Sequence, residues 1–224
     1  VTSYSDKFTI VVHGKKAHSA SPEEGVDAIA IAGQIITAVN GILLKSVDPM
    51  ERATYSIGQI SGGTAPNIIS DRVEMVGMMR NVTAETREIL RRRLEETAVG
   101  IASAMGGSAE FIFREGYASV YNDPALTDFV AGLLEEKAGR WLDGIAAEPY
   151  GRDWLIREDK PIIGAEDYGF YTQRVPSCFY RVATGDTAPA HSREFLVQEP
   201  YIKLCMRSMS SLALHYLEDQ ETFR

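Results

Sequence analysis

From Val26 to Leu44 the chain is apolar nearly all the way round a helical wheel, and a helix of that kind must be covered on more than one side. Asp27, Gln34, Thr37 and Asn40 break the run too often for a lipid-facing span, so the cover comes from protein and not from a bilayer. A single sheet buries one stripe of such a helix, and the rest points to an interface with a second subunit or domain, the alternative being a helix simply sunk in one core. Lys7 to His13, rich in Ile and Val, reads as a strand before it. Ala53 to Ile60 and Arg72 to Arg80 read as two more after it, joined through Gly62-Gly63 and Pro66-Asn67. A helix from Ala84 to Met105, with Leu90, Leu94, Ala98, Ile101 and Met105 on one stripe, ends at Gly106-Gly107 and leads into a strand through Ala109 to Arg114. The order βαββαβ is that of the ferredoxin-like split βαβ unit, an antiparallel sheet with two helices on one face, bare on the other and unpaired at an edge strand.

After Tyr117 the pattern changes to a helix from Pro124 to Gly139, a short segment Pro161 to Ala165, a strand at Ser177 to Ala183 and a helix from Val197 to Leu217. Strands this few, flanked by helices, are half of an α/β layer and too few to close a core.

The formal net charge is -8, with 12 basic against 14 acidic residues up to Gly116 and 11 against 17 after it. Neither half is basic, which argues against nucleic acid as a partner, because phosphate backbones are bound by clustered Lys and Arg. The one cluster, Arg91-Arg92-Arg93, falls at i,i+4 from acids (Glu88/Arg92, Arg91/Glu95, Arg92/Glu96) and reads as a solvated helix face. Cys178 and Cys205 have neither a CxxC nor a framework spacing and read as buried, reduced thiols of a cytoplasmic protein without a membrane anchor.

The stretch GKKAHSASP, Gly14 to Pro22, hangs the imidazole of His18 on a tight loop between a strand and the apolar helix, a place from which it can serve chemistry. The same residues also make an ordinary βα loop, with Ser21-Pro22 opening a helix. His13, His18 and His191 are the material for a three-histidine metal site, but HGKKAH matches no standard ligand spacing, and His13 ends a strand that points it away from the loop. His215, among Leu214, Tyr216 and Leu217, reads as structural.

Five ordered segments, GKKAHSASPEEGVDAI, GQISGGTAPNIISD, GMMRNVTAE, GAEDYGFY and APAHSREF, resemble the co-catalytic zinc aminoacylase and carboxypeptidase family, in its N-acyl-amino-acid amidohydrolase (hippurate hydrolase-like) branch. The resemblance implies a ferredoxin-like lid and dimerisation domain over 1–116 and the C-terminal half of an α/β zinc-peptidase catalytic domain over 117–224. The family's N-terminal half, with most of its metal ligands, has no counterpart in this sequence, so the chain reads as a fragment without a complete metal site and inactive alone. The resemblance further implies an enzyme with two divalent ions, zinc or else manganese or cobalt, hydrolysing the amide of a small N-acyl amino acid, and a homodimer through the lid. His18 then corresponds to the lid histidine that stabilises the oxyanion, commonly in the partner subunit's site. Asn67 and Arg80 correspond to residues that hold the substrate, and His191 to the final metal ligand. Read without the resemblance, Asn67 is a turn residue, Arg80 a strand-end charge and His191 a loop histidine. Glu166 and Asp167 fall in a loop near the family's active site with no role assigned. The competing class is a non-catalytic ferredoxin-like dimerisation or binding module.

Overall fold

Phe8, Ile10 and Val12 are fully buried and alternate with Lys7, Thr9 and Val11, and this period of two makes a strand. The computed structural model describes residues 2–141, 155–158, 160–185 and 187–218. Its elements run β1 (Tyr4–His13), β2 (Ala17–His18), α1 (Ala28–Val39), α2 (Ile42–Ser46), β3 (Ala53–Gly62), β4 (Ile68–Ile69), β5 (Arg72–Asn81), α3 (Ala84–Ala104), β6 (Ser108–Tyr117), α4 (Pro124–Trp141), α5 (Gly169–Thr172) and α6 (Glu199–Glu218). The chain divides into two units, Val1–Tyr121 with Lys160–Arg174, and Asn122–Asp159 with Val175–Arg224.

In the first unit the sheet order is β3-β5-β1-β6, every pair antiparallel, which is the ferredoxin-like arrangement. Phe8 lies opposite Gly77 of β5, where a Cβ would come 2.2 Å from the Phe8 ring, so the glycine makes room for the largest core side chain. Ile31, Ile35 and Val39 of α1 and Leu90, Leu94 and Ala98 of α3 close the core over Phe8, Ile10, Met75 and Met79. Asp27 caps α1, its Oδ1 accepting the N–H groups of Ile29 and Ala30, and Thr83 Oγ1 caps α3 by accepting from Thr86.

The expected helix from Val26 to Leu44 is two helices, because the chain breaks at Asn40-Gly41. Its apolar surface is also divided: Ala28, Ile31, Ala32, Ile35 and Val39 are buried, while Ile29 is 52% exposed on the outer side. On α3 the buried stripe runs Thr86, Leu90, Leu94, Ala98 and Ala102. The stripe keeps its four-residue step, which advances about 40° per step round a 3.6-residue helix, and so reaches Ala102 and leaves Met105 40% exposed. Arg91–Glu95 and Arg92–Glu96 pair as expected, whereas Glu88 pairs with Arg91, one residue closer than Arg92.

In the second unit α4 and α6 pack through Val130, Leu133, Leu134 and Leu212, joined by Tyr180 and a half-buried Cys178. Burial pushes the Cys178 thiol up, away from the reactive thiolate. Cys205 is likewise half-buried and free, so neither thiol is sunk in the core as expected. The expected strand at Ser177 to Ala183 does not form. Its backbone is held instead by Asn122, whose Oδ1 accepts the Phe179 N–H and whose Nδ2 donates to the Phe179 carbonyl, both at 2.8 Å. A side chain supplies the bonds that a neighbouring strand would, and no ladder results.

The β1–β6 ladder is irregular between Ser5 and Lys7, and the fully buried Asp6 fills the irregularity. Asp6 Oδ1 accepts the Gly116 N–H at 3.0 Å, and both its oxygens accept from Arg87 at 2.8 Å. Arg87 lies over the rings of Tyr4 and Phe113, and the hydrogen-bonded Asp6 raises its guanidinium above the usual arginine value. Removing Asp6 leaves the largely buried Arg87 with only the exposed Glu115, 3.7 Å away, and leaves the Gly116 N–H without its acceptor, so Asp6→Ala should cost about 3 kcal/mol of stability. Native-state amide exchange across β1 and β6 reads this directly, and a loss below about 1 kcal/mol would contradict it.

Candidate active site

Gly14 lets the chain leave β1 close against its neighbours: its N–H donates to the Asp71 carbonyl at 2.8 Å, and a Cβ there would meet the Val26 carbonyl oxygen at 2.1 Å. A bridge between Lys15 and Val26 then closes the neck of the loop. Beyond it, β2 and β4 form a ribbon in which Ala17 pairs with Ile69 and His18 with Ile68. The Ser19 N–H donates to the Asn67 carbonyl at 3.0 Å and extends the ribbon by one bond. His18 and Asn67 are thereby brought side by side.

His18 is exposed, and its Nδ1 accepts the Ala20 N–H at 3.1 Å. In a neutral ring with Nδ1 accepting, the proton sits on Nε2, which has no partner among the described residues. The Asn67 side-chain amide, also exposed, makes no hydrogen bond among the described residues. The ribbon thus presents two unoccupied polar groups on a backbone held from both sides.

Arg80 is elsewhere. It lies at the far end of β5, roughly 26 Å along the strand from Arg72 and the ribbon beside it. It is half-buried, and its Nη1 donates to the Ile163 carbonyl at 3.3 Å, one of five donor hydrogens on that fork. His191 belongs to the second unit. It is exposed in a turn closed by the Ser192 N–H on the Pro189 carbonyl, at φ 71°, the one non-glycine residue in the left-handed region among the described residues. Such a conformation costs about 1–2 kcal/mol and marks the loop for attention. Glu166 and Asp167 are exposed and act through their carbonyls, which accept from Gly169 and Phe170 to open α5.

His13 points to the bare face of the sheet, with Nε2 3.2 Å from Glu110, and His215 Nδ1 lies 2.8 Å from the Ser211 carbonyl. Among the described residues, no group of three or more His, Cys, Asp or Glu side chains is placed to hold a metal ion. The described residues therefore do not by themselves fit a metal centre. Among them, likewise, no helix is long and apolar enough to cross a membrane.

Sequence reasoning located His18 and Asn67 separately but missed the ribbon that joins them. Two residues per strand are too short for any periodicity to register, and the one legible trace was the Gly62-Gly63 and Pro66 turn chemistry around Asn67.

Residues 3–102 match the family described as peptidase dimerisation domain. The chain is similar to thermostable carboxypeptidase 2 of Saccharolobus solfataricus, 31% identical over 217 residues, covering 94% of this chain and 51% of the relative. It is also similar to the N-acetylcysteine deacetylase of Bacillus subtilis, 30% identical over 213 residues, covering 95% of this chain and 52% of the relative. The crystal structure of a dinuclear metal-binding peptidase of the M20 family from Bacillus subtilis superimposes with a TM-score of 0.72 at 28% identity, over 97% of this chain and 51% of that one. The chain spans about half the length of the curated relatives it matches.

The ring assignment is open to measurement. In two-bond proton–nitrogen spectra, the neutral His18 ring should show a protonated Nε2 and an unprotonated Nδ1. A dominant Nδ1–H form would mean that the Ala20 N–H does not hold the ring.

Proposed function

Because this chain belongs to the M20 peptidase family, we propose that it supplies the lid and the C-terminal catalytic half of a metal-dependent amidohydrolase that cleaves the amide bond of N-acylated amino acids. Residues 1–116 are the lid and 117–224 the catalytic half. The observation that carries the reading is the ribbon, which holds His18 and Asn67 together with their polar groups free. Relatives with printed activities are a carboxypeptidase and deacetylases of acylated amino acids, which supports amide hydrolysis at that level.

In this reading His18 Nε2–H donates to the oxyanion as the acyl carbon becomes tetrahedral, which requires a donor at the moment the charge develops and no proton transfer from the ring. The Asn67 amide orients the substrate carbonyl. Arg80 takes the free carboxylate, for which its planar fork is suited, with the donors that Ile163 leaves unused. His18 and Asn67 stand at one end of the sheet and Arg80 at the other, so a site that uses all three draws them from two copies of the chain.

That arrangement fits a homodimer. β3 is an edge strand with one side unpaired in the sheet, and Ile60 on it is 57% exposed. Ile29 of α1 reaches within 3.4 Å of where a Cβ on Gly63 would be, so the exposed apolar side of α1 continues the edge. For the complete protein we propose two divalent ions, zinc or else manganese or cobalt, with His191 as one ligand, its backbone strain being the support from this chain. A catalytic zinc takes about three protein ligands, so the 224-residue chain alone is proposed to be inactive. Free Cys178 and Cys205 suit a reducing cytoplasm.

A complete protein carrying both halves should hydrolyse N-acetyl or N-benzoyl amino acids when supplied with zinc or manganese. His18→Ala should lower kcat about 100-fold or more with metal content unchanged, and an unaltered kcat would refute the role. Sedimentation of the 224-residue chain at micromolar concentration should show a dimer, shifted toward monomer by Ile60→Lys. A clean monomer for the unmutated chain would overturn the shared site.

A further inference from the structure

The loop that carries Asn67 leaves β3 at Gly62 and returns at Ser70, and a single hydroxyl closes its base. Ser70 Oγ accepts the Gly63 N–H at 3.2 Å and the Arg72 N–H at 3.3 Å, and donates to the Arg72 carbonyl at 2.9 Å. Gly63 sits at φ 82°, where glycine reverses the chain without strain and offers its N–H to the hydroxyl. The carbonyl of the same serine accepts the N–H of Ala28, the first residue of α1, at 2.9 Å. Ser70 is 4% exposed, so water has little room to replace it. One residue therefore joins the end of β3, the start of β5 and the start of α1. Immediately before it, Ile69 and Ile68 pair with Ala17 and His18, and Asn67 receives the Ser19 N–H.

The geometry points to Ser70 as a positioning residue whose hydroxyl sets the placement of Asn67 against His18. The inference rests on the reading of His18 and Asn67 as substrate-facing groups, but the placement itself is measurable without any hydrolysis. Without the hydroxyl, the Gly63 and Arg72 N–H groups lose a part-buried acceptor. The loop then satisfies them by opening to water, which lifts its stem and carries Asn67 away from the ribbon.

The test compares Ser70→Ala and Ser70→Thr in the 224-residue chain. The Ser19 amide, which bonds to Asn67 and not to Ser70, should exchange about tenfold faster in Ser70→Ala, and the His18 ring nitrogen signals should shift with it. Ser70→Thr, which keeps the hydroxyl, should restore both. Faster exchange confined to Gly63 and Arg72, with Ser19 and His18 unmoved, would reduce Ser70 to a local stabiliser and overturn the inference, as would failure of Ser70→Thr to restore the signals. If Ser70→Ala does not fold, Ser70→Cys, close in size and a weak donor, gives the same two readouts. In the complete protein a displaced ribbon should lower kcat about tenfold. Displacement with hydrolysis unchanged would leave the positioning role standing and count against the roles given to His18 and Asn67.

Discussion

The carboxylate of Asp6 ties together the parts of the first unit that sequence distance keeps apart. It lies fully buried on β1, receives the amide of Gly116 from β6 and both arms of the Arg87 fork from α3. A Cβ on Gly116 would come 1.9 Å from the Ser5 carbonyl oxygen, so the two backbones approach there as closely as they can. Side chains on a strand alternate between faces, so a one-residue slip of β6 against β1 would turn Phe111 and Phe113 out of the core and Ile112 into it. The ion pair works against that slip at the one place where the ladder is irregular.

What the sheet does for the site is to hold two ends apart. β1 and β5 run antiparallel, so the loop after His13 and the loop before Arg72 emerge together, and there the ribbon of β2 and β4 forms. Arg80 comes out at the opposite end, beside Tyr4 and Ser5. A stiff strand cannot bring its own ends together. In the proposed site, which needs an imidazole and a guanidinium on one small substrate, one of them has to come from a second copy, for which the proposed surface is the bare β3 edge with the apolar outer side of α1.

Legibility followed the strength of the local signal. Ala53 to Ile60 and Arg72 to Arg80 were readable to within two residues, because alternating β-branched residues between turns leave few alternatives. β1 begins at Tyr4 and not at Lys7, since Ser5 and Asp6 are polar residues that only a tertiary partner makes tolerable inside a sheet. The long apolar helix breaks at Asn40-Gly41, and the run Ser177 to Ala183 is not a strand, the Phe179 N–H and carbonyl being bonded by the Asn122 side chain. His18 was visible from its loop and Asn67 from its turn, but Ser70, although it lies within the segment GQISGGTAPNIISD, showed no sign of its own role, which appears only where three backbone groups meet its oxygen.

The amino-acid order alone determined the succession βαββαβ, the faces of its strands and the identity of the imidazoles and the arginine worth watching, because periodicity and turn chemistry act over a few residues. Only the tertiary structure decided that His18 and Asn67 share a ribbon, that Arg80 stands a full strand away and that Asp6 is paired. Those facts depend on contacts between residues far apart in the chain, such as His18 with Ile68 and Asp6 with Gly116, 110 positions away, and nothing within one helical turn or one strand of either residue encodes them.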